Sequence, residues 1–80
     1  MKKKSNIKHP IDLQVGKRIR SRRRMLDLSQ NTLANKLGIT FQQVRKYETA
    51  DNRVSASRLM EIALALGVPV NFFFDGVNYE

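Results

Sequence analysis

The stretch from Leu28 to Glu48, LSQNTLANKLGITFQQVRKYE, constrains the fold more than any other part of the chain. Ser29 is a favourable N-cap residue, because its hydroxyl oxygen can accept a hydrogen bond from a free backbone N–H of a helix's first turn. Apolar side chains then repeat at helical spacing: Leu33, Ala34 and Leu37. Gly38 follows, where a helix often ends in a residue with positive φ. The first half of the stretch therefore predicts a helix over about 30–37.

The second half of the stretch predicts another short helix, over about 41–49. Thr40 can cap it, and Gln43 completes a Thr-x-x-Gln capping box. Val44 and Tyr47 give this helix a side that faces inward. Two short helices joined by a capped, tight turn are typical of a helix-turn-helix motif, in which the second helix is the candidate recognition helix.

This stretch resembles the helix-turn-helix of the Cro/repressor class of phage and bacterial transcriptional regulators. The resemblance runs from about Val15 to Phe74, with VGKRIR similar to the family's first helix and SASRLMEIALALGV similar to its fourth. It implies an all-α fold, a compact bundle of about five short helices. It also implies sequence-specific binding of double-stranded DNA. Arg22 departs from the family pattern, which usually has an apolar residue there, and the loop TADN lacks the family's frequent glycine.

The composition limits the classes of protein to consider. Eighty residues form one small domain of modest stability, which association would support. A net charge of +8 favours a polyanionic partner. The absence of cysteine excludes disulfides and cysteine-bound metals, which suits the cytoplasm. No apolar run approaches the ~20 residues of a membrane span, and no pattern predicts a cofactor.

The chain divides into a basic arm over residues 1–11, a DNA-binding domain over 12–76 and a short tail over 77–80. The arm either contacts phosphates or a minor groove, or it is only a solubilising tail, and the sequence leaves both open. His9 lies in this arm without partner ligands and is interpreted as inert. Asp12 is the expected cap of a first helix that runs to about Asp27. Gly16 within that helix predicts a close helix crossing.

The side of the recognition helix opposite its apolar residues is the predicted DNA-binding face, since Gln can pair with adenine and Arg or Lys with guanine. The base-reading candidates are Gln42, Arg45, Lys46, Phe41 and Thr40. The candidates for contact with the DNA backbone are Gln30, Lys17, Arg20, Thr49, Asn52 and Arg53, of which the family resemblance implies Asn52 and Arg53. A solvated polar face is the alternative, but the capped turn and the basic composition favour DNA. The family resemblance implies a structural ion pair between Arg23 and Glu48.

The C-terminal third predicts two further helices. Ser55 can cap a fourth helix, whose apolar face is Leu59, Ile62, Ala63 and Leu66. A short fifth helix is expected over 70–75, and the family resemblance implies that Phe73 and Phe74 help to close the core. Phe72 is then expected to face outward beside Pro69 and Val70, and these three form the predicted homodimer interface. The alternative is that Phe72 folds back onto its own fourth helix.

No motif supports catalysis, so an enzyme is not expected. The leading hypothesis is a sequence-specific transcriptional regulator, most simply a repressor that binds a palindromic operator as a dimer. An antitoxin or adaptor that uses the same fold mainly to bind a partner protein is the alternative, which the aromatic C-terminal segment would serve. RNA binding is a third hypothesis, for which Phe41 is the only stacking candidate on the recognition helix.

Overall fold

The computed structural model describes residues 7–77, which fold into four α-helices and a short 3-10 helix. The α-helices are α1 (Pro10–Met25), α2 (Gln30–Leu37), α3 (Phe41–Glu48) and α4 (Ala56–Leu66). The 3-10 helix spans Val70–Phe74, so the fold is all-α as predicted and the expected fifth helix is a 3-10 turn. Residues 1–6 of the predicted arm and 78–80 of the predicted tail lie outside the described residues.

The start of α1 differs from the prediction. The helix begins at Pro10, and its N-cap is His9 rather than Asp12. His9 Nδ1 accepts a hydrogen bond from the backbone N–H of Ile11 at 3.1 Å, so the interpretation of His9 as inert is wrong. Proline suits the first helical position, because the N–H that it lacks would have no partner within the helix. Pro10 and Ile11, assigned to the arm, are therefore helical, and Ile11 packs against the core.

The end of α1 also comes earlier than expected. Its last helical residue is Met25, and Asp27 adopts a positive φ of 58° in the turn that follows. Leu26, which the predicted helix would include, is 39% exposed. It lies at the C-cap, beyond the last turn that packs inward.

The two helices of the motif are capped by the residues that the sequence predicts. Ser29 Oγ accepts the backbone N–H of Thr32 at 3.0 Å, and Thr40 Oγ1 accepts that of Gln43 at 3.2 Å. Gly38 ends α2 with φ of 71°. The capping box of α3 is only half formed, because among residues 7–77 the Gln43 side chain gives no bond back to Thr40.

The helices enclose one apolar core. α1 packs against α3 and the 3-10 helix, while α2 packs against α3 and α4. The largest fully buried side chains come from all five elements: Phe73, Ile19, Leu33, Ile62, Leu66 and Val44. α1 and α3 cross so closely that a Cβ added at Gly16 would lie 2.6 Å from the carbonyl oxygens of both Tyr47 and Glu48. The close crossing predicted at Gly16 is therefore present.

Arginines of α1 hold the C-terminal part of the fold in place. Arg22 Nε donates to the Leu66 carbonyl at the end of α4, at 2.9 Å. The Arg18 guanidinium donates to the carbonyl oxygens of Phe72 at 2.7 Å and Asp75 at 2.8 Å. Helix ends leave such carbonyls without intrahelical partners, so these arginines stabilise the segment that follows α4.

The three consecutive phenylalanines have different environments. Phe73 is fully buried, and Phe72 and Phe74 are half-buried against the core. The Phe72 ring meets Phe73 edge-on, with ring centroids 5.4 Å apart, and the Arg18 guanidinium lies 5.6 Å from the Phe72 ring centroid. Phe72 is therefore only partly exposed and does not face fully outward as predicted, because Arg18 of α1 covers part of its ring.

Candidate nucleic-acid interface

The outer face of α3 is polar and exposed. Val44 and Tyr47 are buried, as their helical spacing predicts. Gln42, Arg45 and Lys46 are all exposed, and in the part of the chain that the structure describes none of these three side chains makes a hydrogen bond or ion pair. A solvated face of this kind can exchange water for hydrogen bonds to base edges at little cost.

The first turn of α3 adds two smaller features to this face. Phe41 is 45% exposed and can make apolar contact with a thymine methyl. The Thr40 hydroxyl already caps the helix, so only the methyl group of Thr40 is available to contact a base. Both residues lie at the end of the helix that enters the major groove first in helix-turn-helix docking.

A buried ion pair holds α3 against α1. Arg23 Nε lies 2.6 Å from Glu48 Oε2, with the two side chains 10% and 2% exposed. A second bond joins the Arg23 guanidinium to Glu48 Oε1 at 3.1 Å, and the Gln30 amide donates to the same oxygen at 3.0 Å. Arg23 also donates to the Leu28 carbonyl at 2.7 Å. The pair implied by the family resemblance is thus present and ties three helices together.

Lysine and arginine side chains on α1 extend the basic surface beside α3. Lys17, Arg20 and Arg24 occupy one exposed stripe at spacings of three and four residues, and none of them has a bonded partner within residues 7–77. Arg20 and Arg45 border the same surface depression. Arg24 was not among the sequence candidates, although its helical spacing from Lys17 and Arg20 could have indicated it.

Other backbone candidates have partners inside the protein. The Gln30 amide is bound to Glu48, and the Thr49 hydroxyl donates to the Arg45 carbonyl at 3.1 Å. Arg53 pairs with Asp12 at 3.0 Å, although its side chain is 79% exposed. Asn52 is half-buried, and its backbone N–H donates to the carbonyl of Lys46. Lys17 and Arg20 are therefore the predicted phosphate contacts with the fewest competing interactions.

Lys8 joins the N-terminal segment to the end of α3, a contact that the sequence analysis did not find. Its Nζ donates to the Thr49 carbonyl at 2.7 Å and to Asp51 Oδ1 at 2.8 Å. The hydrogen bond from Lys8 lowers the pKa of the Asp51 carboxyl below its usual value. The positive charge of Arg45, on the outer face of α3, lowers it slightly more.

Two other kinds of site are not found among residues 7–77. No three histidine or acidic side chains there cluster in a way that could hold a metal ion. No helix in this range is both long enough and apolar enough to cross a membrane.

The fold, the caps and the exposed second helix define a helix-turn-helix domain. The chain belongs to the helix-turn-helix family, whose model matches residues 19–73. An HTH-type transcriptional regulator from Sinorhizobium medicae (strain WSM419) is 60% identical over 74 residues, which are 92% of this chain and 51% of that protein. The chain thus spans about half the length of this curated relative.

Solved structures share the same architecture. The restriction-modification controller protein C.AhdI from Aeromonas hydrophila superposes with a TM-score of 0.77 at 29% identity, covering 82% of this chain and all of that one (100%). The DNA-binding domain of BldD gives a TM-score of 0.75 at 29% identity over 84% of this chain and 97% of that chain. These similarities agree with the all-α class and the Cro/repressor resemblance seen in the sequence.

Proposed function

We propose that this chain is the DNA-binding domain of a transcriptional regulator, most simply a repressor that binds a palindromic operator as a dimer. The main support for the proposal is the location of the lysine and arginine side chains that have no bonded partner. Among residues 7–77, the lysines and arginines with no bonded partner are Lys17, Arg20, Arg24, Lys36, Arg45 and Lys46. All except Lys36 lie on the outer stripe of α1 or the outer face of α3.

In this proposal α3 contacts the bases and α1 contacts the phosphates, because of where the two helices lie. Gln42 and Arg45, exposed on α3, are the residues that would meet base edges in the major groove. The α1 stripe places Lys17 and Arg20 beside it, where they can neutralise phosphates and fix the orientation of the domain. Arg53 can exchange Asp12 for a phosphate at little cost, because so exposed an ion pair contributes little to stability.

Replacing Gln42 with alanine should separate base reading from backbone binding. On a duplex selected from a random pool, Gln42→Ala should weaken binding by about 1–3 kcal/mol and relax preference at one base position in each half-site. Fluorescence anisotropy on the selected duplex and on an unrelated duplex measures both effects. Asn35→Ala removes an exposed amide from α2 and should leave both affinities unchanged. Equal weakening on the two duplexes would make Gln42 a backbone contact.

A single recognition helix contacts only a few base pairs, so a dimer is needed to specify a longer DNA site. Two copies related by a two-fold axis would read half-sites roughly 34–36 Å apart. We keep the C-terminal segment with Pro69, Val70 and Phe72 as the proposed interface and add Leu64 of α4. Leu64 is 76% exposed. Covering so exposed an apolar side chain with a partner would stabilise the dimer.

Oligomeric state tests this interface directly. Leu64→Glu and Phe72→Ala should each shift the chain toward monomer in sedimentation, and weaken binding to a full palindrome far more than to a half-site. Met25→Glu is the matched control, since Met25 is an apolar side chain 64% exposed at the end of α1. Circular dichroism must show unchanged helical content, especially for Phe72→Ala, because that ring also packs on Phe73. A wild-type chain that stays monomeric at high concentration and binds full sites without cooperativity would overturn the dimer.

A further inference from the structure

Lys8 lies on the N-terminal segment but makes its contacts at the far end of the recognition helix. Lys8 and Asp51 are 43 residues apart in sequence, yet Nζ and Oδ1 are 2.8 Å apart. Nζ also donates to the Thr49 carbonyl, where the helix C-terminus carries partial negative charge. Asp51 lies immediately before the candidate phosphate contacts Asn52 and Arg53, and Thr49 is itself such a candidate.

Asp51 is a carboxylate in an otherwise basic surface. It is exposed, and it lies near enough to Arg45 for that guanidinium to contribute to its lowered pKa. An unpaired carboxylate in this position would repel an approaching phosphate, and it would attract Arg45 away from a base edge. Arg45 has no bonded partner in the described part of the chain, so Lys8 rather than Arg45 holds the carboxylate.

We propose that Lys8 is a positioning residue for DNA recognition: it neutralises Asp51 and thereby keeps Arg45 and the 49–53 loop available to DNA. Lys8 acts through Asp51 and need not touch DNA. The inference rests on the proposed function of α3 and deepens it, because it links the affinity of the recognition face to a residue ahead of the first helix.

A double-mutant cycle on the full chain tests this coupling, with affinity measured by anisotropy on the selected duplex. Lys8→Met should weaken binding about three- to tenfold, because it leaves one negative charge beside the phosphates. Asp51→Asn should bind at least as tightly as the wild type. In the Asp51→Asn background, Lys8→Met should change affinity by less than about twofold, since no carboxylate remains to be neutralised.

Two controls separate positioning from general charge and from folding. Lys36→Met removes an equal charge from a lysine that lies beside Glu61 and Leu64 of α4. Measured on a half-site duplex, where the proposed dimer interface does not contribute, it should cost less than about twofold. Lys8→Arg can still pair with Asp51 and should retain nearly all of the affinity. The thermal midpoint of each variant shows whether a loss of binding follows a loss of folded protein.

The outcomes are distinct. An equal loss from Lys8→Met in both backgrounds would make Lys8 a direct phosphate contact and overturn the proposal. No loss in the wild-type background would overturn it as well. If the wild-type chain itself binds no duplex at low salt, the proposed function fails instead, which is a different result from duplex binding that is indifferent to Lys8.

Discussion

Glu48→Gln is expected to lower the free energy of unfolding by about 3–5 kcal/mol, because it leaves the Arg23 guanidinium buried without its counter-charge. The two side chains are 10% and 2% exposed, so water cannot replace the lost carboxylate. The change also weakens the bond from Gln30, which shares Glu48 Oε1. Chemical denaturation monitored by circular dichroism measures the difference.

Glu61→Gln is the matched control for this prediction. Glu61 also pairs with an arginine, Arg58 at 2.8 Å, but its side chain is 57% exposed, and such pairs contribute about 0–1 kcal/mol. If Glu48→Gln and Glu61→Gln shift the unfolding midpoint equally, the buried pair is not a stabilising element of the fold. Because both variants replace Glu with Gln in an arginine pair, the comparison tests the effect of burying the pair.

The helix-turn-helix could be predicted because its signals are local. Ser29 and Thr40 cap backbone groups within three residues of themselves, and Gly38 reaches positive φ without a neighbour's help. Such features depend on a few consecutive residues, and the sequence displays them directly. The same holds for the buried sides of α3 and α4, where helical spacing alone identifies the inward residues.

The roles of the arginines could not be predicted in this way. Arg18 and Arg22 bind carbonyls of the C-terminal segment, Arg20 points to solvent, and Arg23 reaches Glu48. These are identical side chains within six positions of one helix. Which of them finds a partner depends on what packs against each side of α1, and only the family resemblance identified Arg23 in advance.

Contacts between distant segments were missed for the same reason. Lys8 and Asp51 are both exposed, charged residues in segments that the sequence presents as polar, and nothing local relates them. The environment of Phe72 differs from the prediction because a 3-10 helix and the Arg18 guanidinium, rather than an α-helical face, determine it. The turn after α3 places Ala50 at φ of 63°, a conformation that usually favours glycine.

Gly16→Ala is expected to destabilise the fold by roughly 3 kcal/mol, although alanine is the better helix former by up to about 1 kcal/mol. The added Cβ would lie 2.6 Å from the carbonyl oxygens of Tyr47 and Glu48. Both are backbone atoms of α3, so no side-chain rotation can relieve the contact, and α1 must move away from α3. That movement also pulls Arg23 from Glu48, which adds to the loss.

Gly38→Ala separates this steric effect from glycine's conformational freedom. A Cβ at Gly38 meets nothing within 4 Å, but the residue has φ of 71°, so its cost should be only the backbone strain of about 1–2 kcal/mol. Gly16→Ala should therefore be the more destabilising of the two, and it should also weaken DNA binding, because α1 and α3 carry the two halves of the proposed interface. A Gly16→Ala variant as stable as the wild type would show that α1 and α3 are not held in this close crossing.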